Sequence, residues 1–235
     1  MIKDIVVDDS YRTDLATSWG EISLEQFFRL ELWNQTEEKN LIEAVAALTD
    51  IPLEIWNKSS YGDFKYVILP NIQWIFTDPK IRKIRMKDSI EIMGKEIEIP
   101  KNLEYESLGQ KVAVDQKTAE YADRYKEDPT RMGFYQMSYA IAAYVSPLIS
   151  GDDFDMKFTD IVQVAVQKAR AIDVIPVGTF FLKSQGDSIN LRVISQSIFY
   201  RIKNAGLIPR TFKSLGFFVR GMRWRKAMSV GMKKY

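Results

Sequence analysis

The stretch PTRMGFYQMSYAIAAYVSPLIS, Pro129 to Ser150, decides how this chain is read. Met132, Tyr135, Tyr139 and the run Ala142 to Val145 recur at helical spacing, with further apolar residues between them. The helix they predict is buried on much of its circumference. It is expected to end near Ser146-Pro147, because proline has no N–H to continue the hydrogen-bond ladder. A helix enclosed on most sides needs other helices around it.

Toward the N-terminus, Ser23-x-x-Gln26 is a capping box that opens a helix with Leu24, Phe27, Phe28, Leu30 and Trp33 on its apolar face. A second helix is expected from about Glu37 to Thr49, with Leu41, Ile42, Val45 and Leu48 as its stripe and Glu37 and Glu38 as first-turn acids. Asp50-Ile51-Pro52 stops it, and Pro52 starts a short turn carrying Leu53, Ile55 and Trp56. Ser60-x-x-Asp63 opens a further helix with Phe64, Ile68 and Ile72 in line, which Pro70 should bend. Met1 to Ser18, with a β-like patch at Ile5 to Val7, reads as an extended arm or first strand whose order depends on a neighbour.

The period then changes. Ile90-Glu91-Ile92 and Ile97-Glu98-Ile99 alternate around Met93-Gly94, which predicts a β-hairpin. A lone hairpin is marginal in water, so Ile90, Ile92, Ile97 and Ile99 must pack on a helix or meet another chain's strand. They are candidate interface residues. Ser107-x-x-Gln110 caps a helix whose middle, Thr118 to Lys126, is polar and expected on the surface. After a loop at Ser150-Gly151-Asp152-Asp153, a helix from about Thr159 to Ala171 is expected to place Ile161, Val162, Ala165, Val166 and Ala169 on one side. Pro176-Val177-Gly178 punctuates before a run from Thr179 to Asn204 that reads as one long helix interrupted near Gly186. The expected fold is mainly α, of the α+β class: a helical bundle-like body with a small hairpin and extended terminal segments. Its divisions are residues 1–80, an N-terminal arm and helical unit; 81–105, the hairpin insertion; 106–208, the helical core; and 209–235, a basic tail.

With 235 residues and 46% hydrophobic content, the chain has ample material for a core. It has no cysteine and no histidine, which removes disulfides, thiolate ligands, zinc sites and triad chemistry. No catalytic residue, metal site or cofactor is assigned. The cluster Asp152, Asp153 and Asp155 lacks the glycine and distal glutamate of a calcium loop and reads as a solvated turn. Gln110 and Gln136 are isolated amides with nothing to orient a water. Gly216-x-x-x-x-Gly221 lacks the Lys and Ser or Thr of a phosphate loop. No secretory signal or membrane span is expected from the acidic N-terminus and the absence of a long apolar run.

Charge is distributed unevenly. Residues 188–235 hold eleven basic residues and no acidic one, whereas residues 1–187 hold 22 basic and 31 acidic residues, a net −9. In the tail, Phe212, Leu215, Phe218, Val219 and Met222 fall at helical spacing, flanked by Arg210, Lys213, Arg220, Arg223, Arg225 and Lys226, with Phe217 and Trp224 among them. Three uses fit: an interface helix on an acidic neighbour, a DNA-contacting tail, or a membrane-surface helix, and the first is favoured. Glycines at 216, 221 and 231 each weaken an isolated helix by about 1 kcal/mol, so a partner is expected to supply its order.

The segment Ser18-Trp19-Gly20-Glu21-Ile22-Ser23-Leu24-Glu25-Gln26-Phe27, followed by Ala47-Leu48-Thr49-Asp50-Ile51-Pro52, resembles a pattern in tail-assembly and virion structural proteins of tailed phages of Bacteroides-like hosts, including the crAss-like group. Ile92-Met93-Gly94-Lys95, Ser107-Leu108-Gly109-Gln110 and Pro176-Val177-Gly178-Thr179-Phe180-Phe181-Leu182 resemble later parts of the same layout. Asp50 stands where the pattern has Gly, and the basic tail lies outside it. The resemblance implies a bacteriophage structural or tail-assembly role with no catalytic residues to carry over, and the expected function is a virion protein of the tail, neck or head-to-tail connection; the opposite charges of body and tail motivate the expectation of an oligomer, a ring-forming connector component. Its expected partners are other virion proteins and copies of itself, with DNA as a further candidate and no small-molecule substrate. Its expected place is the virion, assembled in the host cytoplasm. A transient tail-assembly chaperone and a DNA-contacting packaged virion protein are the alternatives.

Overall fold

The backbone groups of one buried helix must find partners inside the protein, and the elements around it supply them. The structure, a computed structural model, describes residues 1–7, 11–77, 79, 84–99 and 107–184. Within these, the chain is mainly helical with two small antiparallel hairpins, an α+β arrangement.

Helix α7, Pro129–Ser150, is the centre of that arrangement. Asp128 caps it by accepting from the Arg131 N–H at 2.9 Å, and Pro129 occupies the first turn, where a missing N–H costs nothing. Every residue from Gln136 to Ser146 is buried. Around it pack α1 (Leu24–Gln35), α6 (Leu108–Arg124), α8 (Met156–Lys168), α9 (Ala171–Ser184) and strand β4 (Lys95–Glu98).

Contrary to the sequence expectation, α7 does not stop at Pro147 but runs one turn further, to Gly151 in the left-handed conformation at φ 78°. Pro147 leaves the carbonyl of Ala143 without its helical donor. The side-chain amide of Gln110 supplies one instead, Nε2 to O at 3.1 Å in a buried setting. Gln110 is also the third residue of α6's capping box, and its Oε1 accepts from the Ser107 N–H at 2.9 Å. One amide therefore closes the start of α6 and repairs the proline gap in α7. Gln26 of α1 does the same kind of work, with Oε1 on the Ser23 N–H and Nε2 on the Leu48 carbonyl at the end of α2 (Leu41–Leu48).

Pro176 and Gly178 likewise fail to punctuate, since α9 begins at Ala171 and continues through both. Val174, Ile175, Val177 and Phe181 are buried, which holds the helix against α7 across the proline. At Gly178 the two helices are so close that a Cβ would stand 2.3 Å from Met137 Cγ and 3.1 Å from Ile141 Cδ1. The preceding helix, α8, starts three residues earlier than expected because Asp155 caps it, and it ends at Lys168. There Ala169 turns extended, and the backbone bonds Leu24 N–H to Ala169 O (2.8 Å) and Ala171 N–H to Ile22 O (2.9 Å) tie the start of α1 to the α8–α9 junction. Ile161, expected on the buried side, faces outward instead, while Val162 and Val166 are buried and Thr159 and Gln163 bond to Ser146 and Ser138 of α7.

The N-terminal residues form a hairpin within the chain, β1 (Ile2–Val7) with β2 (Tyr11–Leu15), and bury Val7 and Leu15. Helix α2 begins at Leu41, not Glu37, because Thr36 closes α1 and Asn40 takes the cap, accepting from the Ile42 N–H at 3.0 Å. Glu37 and Glu38 are exposed before it. After α3 (Leu53–Trp56), the run from Tyr61 to Asn71 is helical but changes pitch: α4 (Tyr61–Asp63), a π-turn at Phe64–Ile68, then α5 (Leu69–Asn71). Pro70 would crowd the Tyr66 carbonyl in a regular α-helix; in the π-turn the Leu69 N–H reaches back to Phe64 O, and the Asn71 amide covers Val67 O at 2.6 Å. In α6 the polar stretch is surface on one side only, because Tyr121 turns inward. One hydrophobic cluster runs from Val7 to Phe181 and includes both hairpins.

The dual use of Gln110 makes a specific prediction. Gln110→Glu keeps the acceptor for the capping box but removes the donor to Ala143 and buries a carboxylate against a carbonyl. The variant should lose about 2 kcal/mol or more of stability at neutral pH in urea denaturation, and recover part of it toward pH 5, where the protonated acid donates again. A loss below about 0.5 kcal/mol would contradict the repair role.

Candidate interaction surfaces

The second hairpin joins β3 (Ser89–Ile92) to β4 through a two-residue turn, Met93-Gly94, with φ of 54° and 71°. Positive φ at both positions suits the twist of paired strands, and Met93 bears strain there that Gly94 does not. The register is Ser89 with Glu98, Ile90 with Ile97, Glu91 with Glu96, and Ile92 with Lys95. Of the two partners the isoleucines required, the structure supplies the helices. Ile90, Ile92, Ile97 and Ile99 are buried in the chain's own core, where the hairpin lies on α7 and α8. While packed there, their side chains are closed to a second molecule.

The opposite face of the hairpin carries Ser89, Glu91, Glu96 and Glu98, and all three glutamates are exposed. Lys95, on the isoleucine face, reaches across to the Ile149 carbonyl at the C-terminal end of α7, where a cation also complements the helix dipole. Between the hairpin and the α8–α9 junction lies a groove of about 1020 Å³. Its cations are already engaged: Lys87 pairs with Asp173 at 2.7 Å, Arg170 with the same carboxylate at 2.7 Å, and Lys168 with Glu25 at 2.9 Å.

A second polar region lies inside the body, between α6, α7 and α8. Tyr121 donates to Gln163 Oε1 at 3.2 Å, and Gln163 Nε2 donates to Ser138 Oγ at 3.0 Å. Ser146 and Thr159 share a hydroxyl contact at 2.9 Å, and Gln136 Nε2 donates to the Thr118 carbonyl at 3.1 Å. Tyr125 and Tyr135 stack with centroids 4.9 Å apart. These groups satisfy one another and hold the helices in register. The Tyr139 hydroxyl has no hydrogen-bond partner among the described residues, and burial, followed by the nearby Asp160 charge, pushes its pKa well up. Burial also raises Tyr121 and Tyr135.

Large apolar side chains are exposed on α6 (Leu108 at 79%, Val112 at 53%) and on α8 (Ile161 at 58%, Val164 at 56%). Tyr61 and Tyr66 project from the α4–π-turn segment, with Lys65 Nζ 6.0 Å and 4.9 Å from their ring centroids. Asp155 is spent as the α8 cap, while Asp152 and Asp153 are exposed. Among the described residues no group of three or more His, Cys, Asp or Glu is placed to hold a metal ion, and no helix is long and apolar enough to cross a membrane. The tail residues singled out from the sequence, Arg210, Phe212, Lys213, Phe217, Phe218, Arg220, Arg223, Trp224, Arg225 and Lys226, lie outside the described residues.

Comparison with protein families, characterised proteins and solved structures finds no match to this chain.

Tyr139 gives a test of the interior. Its folded pKa is raised above the ordinary 10.0, so its contribution is intact below pH 10 and is lost as pH climbs toward the folded value. The wild-type unfolding free energy should therefore fall above pH 10, and Tyr139→Phe should flatten that fall. At pH 7 the Phe variant should be equal to wild type or more stable by up to about 1 kcal/mol, since it removes a hydroxyl buried without a partner. Denaturant titrations at pH 7 and pH 10.5 check both.

Proposed function

We propose that this chain is a structural or assembly protein of a phage virion, acting in the tail, neck or head-to-tail connection through protein–protein contacts and without catalysis. The observation that carries the reading is charge: a net −9 over residues 1–187 is joined to a 48-residue end with eleven basic and no acidic residues. Opposite charges on one polypeptide favour contact between copies or with acidic neighbours. The resemblance of the 18–52 segment to tail-assembly and virion proteins points the same way. In this reading the protein is assembled in the host cytoplasm and retained in the particle, and head-to-tail contact between copies builds a ring.

The interleaving of Phe217, Phe218 and Trp224 with Arg223, Arg225 and Lys226 favours DNA as a second partner, since aromatic and basic residues together suit stacking on bases and pairing with phosphates. The chaperone alternative differs in leaving the finished particle.

Deleting residues 210–235 tests the reading without touching any described residue. Light scattering of the full chain should show a concentration-dependent oligomer that dissociates as salt rises, whereas the shortened chain should remain a monomer. A full chain that stays monomeric at every concentration and salt would overturn the assembly reading. Steeply salt-dependent DNA binding lost with the same deletion would favour the DNA role, and absence of the protein from purified virions would favour the chaperone.

A further inference from the structure

The outer face of the β3–β4 hairpin violates a pairing rule. The register sets Glu91 directly opposite Glu96, and Glu98 lies on the same face beside them. Cβ atoms of such pairs are about 5 Å apart, and like charges placed there destabilise the strands. Within the described residues the Ser89 hydroxyl donates to Glu96 Oε1 at 2.5 Å, which eases one carboxylate without supplying a positive charge. None of the three glutamates forms a salt bridge among the described residues. Lys95 is turned to α7, and Lys87, Lys168 and Arg170 are held by Asp173 and Glu25. The face borders the groove of about 1020 Å³, into which Met93, Ala165 and Ala169 contribute apolar surface alongside Glu91 and Glu96. A sheet face whose three carboxylates have no countercharge among the described residues, beside exposed apolar surface, suits a cationic amphipathic segment.

The chain contains one. Residues 210–226 carry Arg210, Lys213, Arg220, Arg223, Arg225 and Lys226 with no acid, and Phe212, Leu215, Phe218, Val219 and Met222 at helical spacing. We infer that this segment of one copy docks on the hairpin's outer face and the adjoining groove of a second copy, so that its basic groups neutralise Glu91, Glu96 and Glu98. The inference rests on the assembly reading and names the surface that reading left open. The net −9 of residues 1–187 offers each copy's basic end an acidic neighbour, and the 26 residues from Ser184 to Arg210, extending at most about 90 Å, are long enough to reach a second copy. Segment to hairpin is a head-to-tail contact, which closes into a ring or continues as a filament.

The test uses the full chain, mixed equally from ordinary and nitrogen-15-labelled protein, treated with a zero-length carbodiimide and read by mass spectrometry. The expected products join Glu91, Glu96 or Glu98 to Lys213 or Lys226 and include pairs of mixed isotope. Below the concentration at which copies associate, the full-length triple variant Glu91→Gln, Glu96→Gln, Glu98→Gln should keep or raise the thermal midpoint, because the like-charge pair is relieved. It should also weaken self-association about tenfold. Links confined to single-isotope pairs would place the segment on its own copy and overturn the inference. So would links from these lysines to other carboxylates, or an unchanged association constant in the triple variant. If the protein associates but the hairpin is not involved, the assembly reading stands and this surface assignment fails; if it never associates, both fail.

Discussion

A helix that is buried for eleven consecutive residues, Gln136 to Ser146, has no water to satisfy anything its own ladder leaves open. That constraint organises the fold. Pro147 breaks the ladder inside the enclosure, and the Gln110 amide closes the gap at the Ala143 carbonyl. Because Gln110 is at the same time the capping residue of α6, the N-terminus of α6 is fixed against the C-terminal third of α7. On another side Gly178 lets α9 approach to where no Cβ fits, and the Ser138, Gln163 and Tyr121 chain of hydrogen bonds sets how α8 and α6 meet α7. Polar groups inside the body thus specify register, while the apolar cluster supplies the driving force.

Apart from the Tyr139 hydroxyl, the polar groups described around α7 are paired, and the unbalanced charge lies outside. The hairpin spends its isoleucines and Lys95 on the body, and its outer side then presents three glutamates with two in direct opposition. A chain acting through contact is expected to break local pairing rules at its contact faces, since a neighbour's groups complete them. The excess of carboxylates over residues 1–187 and the excess of cations beyond them have the same character, at the scale of the whole polypeptide.

Much of the fold was legible in the sequence because its signals are local. Ser23-x-x-Gln26 and Ser107-x-x-Gln110 mark helix starts that the structure places at Leu24 and Leu108, and the alternation around Met93-Gly94 is a hairpin. The errors fall where a distant group overrides a local one. Pro147 reads as a terminator from its own chemistry, and the amide that bypasses it is 33 residues away in sequence. Pro176 and Gly178 read as punctuation, yet glycine there serves close packing with Met137 and Ile141. Ile161 looks like a core residue by type, but the helix starts at Met156 and its rotation turns that side chain out. The acidic hairpin face was present in the same alternation that marked the isoleucines. Reading it needed the two-residue turn, which fixes Glu91 opposite Glu96.

Amide hydrogen exchange of the full chain tests the central constraint most directly. The N–H groups from Phe134 to Val145 should be the slowest in the protein and exchange only through global unfolding, with the denaturant dependence of the whole transition. Exchange of that span ahead of α1 or α8, by a local opening insensitive to denaturant, would contradict an enclosed α7 on which the other elements depend.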